Sequence, residues 1–172
     1  MQEFSPKARK GALMLHVVCC ATWMGAATGM MVLILWRGGT AETDESFATI
    51  WMAIKTIDDL VIIAAAGSSF LSGCLLCWGT KWGFFKWYWV AIKFVLTAIL
   101  VVFGATCLGP WINQAAAIAA EQGASGVQDL GFRRLYSRLC LWGSLQMAVL
   151  LAIFWLSVFK PWSRIRKSLA SK

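Results

Sequence analysis

The fold is decided by residues 12–36, ALMLHVVCCATWMGAATGMMVLILW, a stretch that contains no Asp, Glu, Lys or Arg. It exceeds the roughly 20 residues that an α-helix needs to cross a hydrocarbon core of about 30 Å. Because a helix pairs its own backbone N–H and C=O groups, which lipid cannot do, the stretch is predicted to be a transmembrane helix. Three further apolar blocks follow at 57–78, 88–111 and 139–159.

The composition of the whole chain agrees with this reading. It is 59% hydrophobic and only 14% charged, whereas a soluble domain has about 25% charged residues. We therefore predict an all-α, polytopic membrane protein, an antiparallel four-transmembrane-helix bundle that forms a single domain over 1–172. Helical spacing outside the blocks predicts outer extensions at about 46–56 and 112–138, and a basic tail follows at 160–172.

The distribution of charge predicts the orientation. With four crossings, both termini and the loop with Lys81 and Lys86 share one side, which holds ten Lys/Arg and one acid, Glu3. The other side holds five Lys/Arg and seven acids. The positive-inside rule places both termini in the cytoplasm. Since the basic residues flank apolar blocks and form no patch, the net charge of +8 indicates contact with the lipid bilayer and not with nucleic acid.

Two ionisable residues lie inside the apolar blocks, where they are costly and mark candidate functional positions. His16, the single histidine, is about one turn inside the first span, and Lys93 is about one turn inside the third span from the same face. Lys93 can instead extend its amine to headgroup phosphates. His16 can serve as a ligand or as an interhelical hydrogen-bonding group.

The six cysteines suggest two further hypotheses. Cys20 shares a helix face with His16, and Cys74 and Cys77 form a CxxC near the cytoplasmic end of the second span. These three cysteines are candidate ligands for a soft metal or candidates for thiol redox chemistry, although small cysteines often only pack in cores. Cys107 and Cys140 lie at comparable depth on the outer side, which makes them a candidate disulfide pair.

Two adjacent acids begin the second span at the outer interface. Asp58 and Asp59 are predicted to form an outer charge network with Arg138 or Lys55. Acid pairs also occur in proton relays. Few polar residues connect these acids to His16 through the membrane interior: Thr22, Ser68, Ser69, Ser72 and Gln146.

Several segments together resemble a family of uncharacterised bacterial four-helix integral membrane proteins, which is DUF2269-like. They are Ile57-Asp58-Asp59-Leu60, Lys81-Trp82-Gly83-Phe84-Phe85-Lys86, Ile92-Lys93 and Leu108-Gly109-Pro110-Trp111. The likeness covers about residues 12–112. It implies a multi-pass protein of the bacterial cytoplasmic (inner) membrane.

The first helix is also similar to that of CopD-like copper-resistance proteins and HemJ-type protoporphyrinogen oxidases, through His16 followed by Trp23-Met24-Gly25. That likeness implies that His16 is a candidate axial ligand of haem b. The chain has no second histidine, so a bis-histidine haem within one chain is excluded. Five-coordinate iron, a Cys or Lys93 partner, or a dimer that supplies His16 twice remain.

Two functions compete at this point. We expect a non-enzymatic membrane component: an oligomeric scaffold, an accessory subunit of a partner membrane protein, or a small transporter. The alternative is a haem- or redox-associated membrane protein that uses His16. No strong catalytic motif is present, so an enzyme is the less favoured class.

Overall fold

Residues 4–80 and 87–160 are described by the computed structural model, and they form six α-helices joined in part by short π- and 3₁₀-helical segments. The helices are α1 (Pro6–Trp36), α2 (Asp44–Thr56), α3 (Ile63–Gly79), α4 (Tyr88–Phe103), α5 (Gly109–Gln122) and α6 (Leu130–Phe159). A π-helical segment, Ile57–Ile62, joins α2 to α3, and another, Gly104–Leu108, joins α4 to α5. A short 3₁₀ helix, Gly123–Gln128, precedes α6. The basic loop 81–86, the tail 161–172 and Glu3 lie outside the described residues.

Four helical stretches are long and apolar enough to cross a membrane: Pro6–Trp36, Asp44–Gly79, Tyr88–Gln128 and Leu130–Phe159. Successive stretches run antiparallel, with α1 packed on α3 and α6, α4 packed on the same two helices, and α2 packed on α5. The predicted all-α bundle of four membrane-spanning helices is confirmed. The side of the membrane on which the termini lie stays a prediction.

Side-chain caps determine where the helices begin. Ser5 accepts a hydrogen bond from the Ala8 N–H at the start of α1, and Asp129 accepts one from Phe132 at the start of α6. Thr43 and Ser46 form a reciprocal capping box that starts α2. These bonds satisfy N–H groups that the first turn of a helix leaves unpaired.

The two π-helical segments are local widenings of the long helices. Their closing bonds run from Ile63 N–H to Asp58 C=O and from Gly109 N–H to Gly104 C=O. Pro110 explains the second segment, because proline has no N–H and its ring clashes with the carbonyl four residues earlier. The Asp58 carboxylate of the first segment approaches the start of α5: a Cβ atom placed on Gly109 would lie 3.3 Å from Asp58 Oδ2. Glycine at this position therefore allows the carboxylate to approach the backbone closely.

The most densely packed core lies at the end of the bundle opposite the chain termini, where α2, α5 and α6 meet. Trp51 and Phe132 are 0% and 1% exposed, and their rings pack edge to face with centroids 5.3 Å apart. The Trp51 indole also donates to the Gly38 carbonyl at 3.1 Å. The largest fully buried side chains are Trp51, Phe47, Phe132, Ile34, Ile54, Ile112 and Leu139. Other parts of the described helices expose apolar side chains such as Leu71 and Val102, as contact with lipid chains requires.

Candidate functional site

A chain of hydrogen bonds crosses the contact between α1 and α3. His16 Nδ1 lies 3.0 Å from Ser72 Oγ, and His16 Nε2 lies 3.6 Å from Cys20 Sγ. Cys20 Sγ is in turn 3.0 Å from Ser69 Oγ. The sequence indicated that His16 and Cys20 share a face. It gave no reason to select Ser69 and Ser72 from the serines of the second span, because that choice depends on the register of α1 against α3.

The Ser72 hydroxyl determines which groups of this chain of hydrogen bonds donate and which accept. The Ser72 hydroxyl donates its one proton to the Ser68 carbonyl at 2.7 Å, so it accepts from His16 Nδ1–H. The neutral imidazole then has its free electron pair on Nε2, which faces the Cys20 thiol. Cys20 Sγ lies within hydrogen-bond distance of both Nε2 and Ser69 Oγ. The result is an ordered thiol–imidazole–hydroxyl chain inside the bundle.

Lys93 lies beside this chain, on α4. Its Nζ donates to Ser157 Oγ at 2.6 Å and is 5.9 Å from the centroid of the Trp89 ring. Lys93 also interacts electrostatically with His16, Cys20 and Cys77. The structure thus places Lys93 within electrostatic range of His16, Cys20 and Cys77.

The metal hypothesis for Cys20, Cys74 and Cys77 gains no support from the geometry. Within residues 4–80 and 87–160, no group of three or more His, Cys, Asp or Glu side chains is placed to hold a metal ion. Cys20 instead bonds to Ser69 and His16. Cys74 and Cys77 are half-buried free thiols.

The disulfide between Cys107 and Cys140 stays a prediction. Cys107 and Cys140 are both free thiols. Cys107 Sγ lies 3.7 Å from the Thr106 hydroxyl, whereas Cys140 is close to the Tyr136 side chain. The two cysteines belong to different local clusters, although their helices pack against each other.

The two adjacent aspartates have different surroundings. Lys55 Nζ lies 2.5 Å from both Asp59 Oδ2 and Asn113 Oδ1, so Lys55 is the cation of the outer network. Arg138, the other expected partner, stacks over the Trp111 ring at 5.6 Å. Asp58 is only 7% exposed, and no side chain among the described residues donates a hydrogen bond to it. Lys55 also attracts the Asp58 carboxylate, whose burial is unfavourable unless it holds a proton or a cation.

Two more polar atoms inside the bundle have no partner. Among the described residues, Trp23 Nε1 and Gln146 Oε1 are the buried side-chain atoms without a hydrogen bond. Trp23 is one turn beyond Cys20 on α1, and Gln146 faces the second π-helical segment, since a Cβ on Gly104 would lie 3.7 Å from its Nε2. Buried polar atoms without a hydrogen-bond partner are rare in native proteins and usually bind water or a ligand.

The loop after α1 has its own ion pair, outside the spans. Arg37 donates to Glu42 at 2.7 Å. This hydrogen bond and the positive charge of Arg37 lower the pKa of the exposed Glu42 carboxyl. Both groups are in contact with water, so the pair organises the loop and adds little stability.

Comparison with known proteins gives one match. A family model described as a predicted integral membrane protein, DUF2269, matches residues 12–161. The chain belongs to this family. No curated protein and no solved structure matches it.

Membership of the DUF2269 family agrees with four membrane-spanning helices and covers every residue of the polar chain. His16, Cys20, Asp58, Lys93 and Gln146 all fall within the matched segment. The family is described as a predicted integral membrane protein. The similarity of the first helix to CopD-like and HemJ-type proteins stays a prediction.

Proposed function

We propose that this DUF2269 protein is a non-enzymatic component of the bacterial cytoplasmic membrane, and that it is a small transporter that conducts protons through the centre of its bundle. Both termini face the cytoplasm, in agreement with the excess of Lys/Arg on that side. Asp58 is the proton-binding group at the outer end, and the His16–Cys20 chain is the group at the inner end.

The observation that supports this proposal most strongly is the burial of Asp58 without a hydrogen-bond donor. Its carboxyl, on the first π-helical segment, lies against Gly109, which directly follows the second. π-helical bulges occur frequently at functional sites. Acidic side chains inside membrane bundles typically belong to ion or proton pathways. Asp59, one residue later, is half-exposed and paired with Lys55, so the burial of Asp58 is particular to that position.

Between Asp58 and His16, polar atoms occur at intervals along the bundle. Gln146 packs at Gly104, five residues inward from Gly109, which is about 7 Å along a helix. Trp23 follows about 7 Å deeper, as judged from the contact of Thr28 with Met147, the neighbour of Gln146. Cys20 is about 5 Å beyond Trp23. These intervals are measured along the bundle axis, and we propose that water molecules carry the proton across them.

Proton flux into liposomes tests the proposal directly. The purified chain is reconstituted into vesicles that contain a pH-sensitive dye, and a potassium ionophore sets the membrane potential. We expect the internal pH to change several-fold faster than in protein-free vesicles. Equal rates in the two preparations would contradict the transporter and leave the scaffold or the accessory subunit as the role of the chain.

The haem- or redox-associated protein is the second candidate function, and one observation favours it. Because His16 Nδ1 donates to Ser72, Nε2 keeps the electron pair that an iron ligand needs, and Ser72 fixes the ring orientation. The site does not fully fit a haem iron at His16, because Cys20 Sγ lies 3.6 Å from Nε2 and would have to move aside.

An absorption spectrum separates the two functions. We expect protein purified from haem-supplied cells to show no Soret band, in both the oxidised and the reduced state, because the electron pair of His16 is directed at Cys20. A Soret band that disappears in His16→Ala would instead assign the haem function. Lys10→Ala, a distant substitution on the same helix, is the control.

A further inference from the structure

Two arginines lie one turn apart on the exposed face of α6, at the end of the bundle opposite the chain termini. Arg134 and Arg138 are four residues apart, so their side chains leave the helix on the same face. Both side chains are exposed. Leu141 and Leu145 continue this face toward the middle of the helix, and they are exposed as well. The face therefore changes from apolar to basic within one turn.

This change places both guanidinium groups at the boundary between lipid chains and water. The apolar block of the last span begins at residue 139, directly after Arg138. Trp142 follows one turn later on α6, and tryptophan is enriched at the level of lipid headgroups. An arginine at this level keeps its alkyl stem on the apolar surface while its guanidinium reaches the polar layer. The phosphate groups of the lipid lie in that layer.

An aromatic cluster orients one of the two arginines. The guanidinium carbon of Arg138 lies 5.6 Å from the centroid of the Trp111 ring. Phe103 packs edge to face on Trp111, with centroids 6.1 Å apart, and its ring centroid is 5.5 Å from that of Trp142. The three rings come from α4, α5 and α6, and together they form an apolar wall next to Arg138.

The charges of Arg134 and Arg138 have no ion pair among the described residues. Within 4–80 and 87–160, the ion pairs are Arg37–Glu42 and Lys55–Asp59, and neither includes a residue of α6. The chain is described without a gap from residue 87 to residue 160, which includes all of α5 and α6. Each guanidinium has five N–H donors, so this face can bind an anion from outside the chain.

We propose that Arg134 and Arg138 bind the phosphate group of an anionic phospholipid, and that an acyl chain of this lipid lies against Trp142 and Leu145. Guanidinium groups bind phosphate through pairs of parallel N–H···O bonds, and two of them one turn apart can reach different oxygens of one phosphate. The anion balances the charge of the arginines. A free phosphate ion offers the same charge and no acyl chain, so the apolar part of the face selects the lipid.

Lipid binding by the whole protein provides the test. Native mass spectrometry and thermal unfolding are measured in detergent with added phosphatidylglycerol, phosphatidylcholine or inorganic phosphate. We expect phosphatidylglycerol to bind and to raise the melting temperature, whereas zwitterionic phosphatidylcholine and inorganic phosphate have much smaller effects. Arg134→Gln and Arg138→Gln should each lower the affinity for phosphatidylglycerol about fivefold, the effect of one basic residue near anionic lipid.

Arg133→Gln is the matched control, because Arg133 is also exposed but points about 100° around the helix from Arg134. It should retain the affinity of wild type. Arg138→Lys keeps a cation at the site and should retain most of the affinity, which separates loss of charge from loss of folding. Equal affinity of wild type and both glutamine variants, or an equal loss in Arg133→Gln, would overturn the proposal. Stabilisation by inorganic phosphate that Arg138→Gln abolishes would assign the arginines to a free ion and overturn the lipid.

Discussion

Replacement of Asp58 by asparagine is expected to reduce proton flux through the reconstituted protein about a hundredfold, the usual effect of removing a positioned proton-transfer group. Asparagine has nearly the same shape, and it cannot release a proton. The space beside Gly109 that the carboxyl fills stays filled, so the packing of the two π-helical segments is retained. The substitution therefore removes the group that binds and releases the proton, and it retains the packing around residue 58.

Asp59→Asn is the matched control for this prediction. It removes the same charge one residue away, at a side chain that is half-exposed and paired with Lys55. We expect its flux to stay within about twofold of wild type, since exposed ion pairs contribute little. Both variants should elute as the wild type does in size-exclusion chromatography. Equal flux in Asp58→Asn and wild type would show that the proton pathway does not pass through Asp58.

The different surroundings of Asp58 and Asp59 show which contacts the sequence could predict. Consecutive residues of a helix point in different directions. A lysine four residues before one of two adjacent acids therefore lies on the same face as that acid and not as its neighbour. Lys55 and Asp59 are four residues apart and meet on one face, which the sequence allowed. That Asp58 points inward, and that Arg138 stacks on Trp111, depends on how α5 and α6 pack. Spacing along one helix does not contain that information.

The fold itself was easier to predict than the site. Four long apolar blocks allow few alternatives to four helices in lipid. The π-helical segments were not predicted, although Pro110 inside an apolar block is a visible sign of a disturbed helix. At the contact between α1 and α3, the spacing of four residues was enough to predict that His16 and Cys20 share a helix face. Ser72 could not be selected, because several serines of the second span are equivalent until α1 and α3 are in register.

Replacement of Trp51 by alanine is expected to cost about 3–5 kcal/mol of stability, the range for removal of a fully buried aromatic side chain. Trp51 is 0% exposed, contacts Phe132 edge to face and donates to the Gly38 carbonyl. Within lipid, apolar side chains gain little by leaving one apolar environment for another. If this end of the bundle extends beyond the lipid, as the sequence predicts for 46–56, burial of Trp51 provides a hydrophobic driving force there.

Thermal unfolding in detergent, followed by size-exclusion chromatography of heated samples, measures this effect. Met52→Ala is the control, because Met52 is on the same helix and 54% exposed, and we expect its melting temperature to stay close to that of wild type. Trp51→Ala should unfold at a clearly lower temperature while it keeps its helix content in the cold, since the spans remain helical in an apolar environment. If the two variants melted together, packing between the spans, and not the outer core, would determine the stability of this protein.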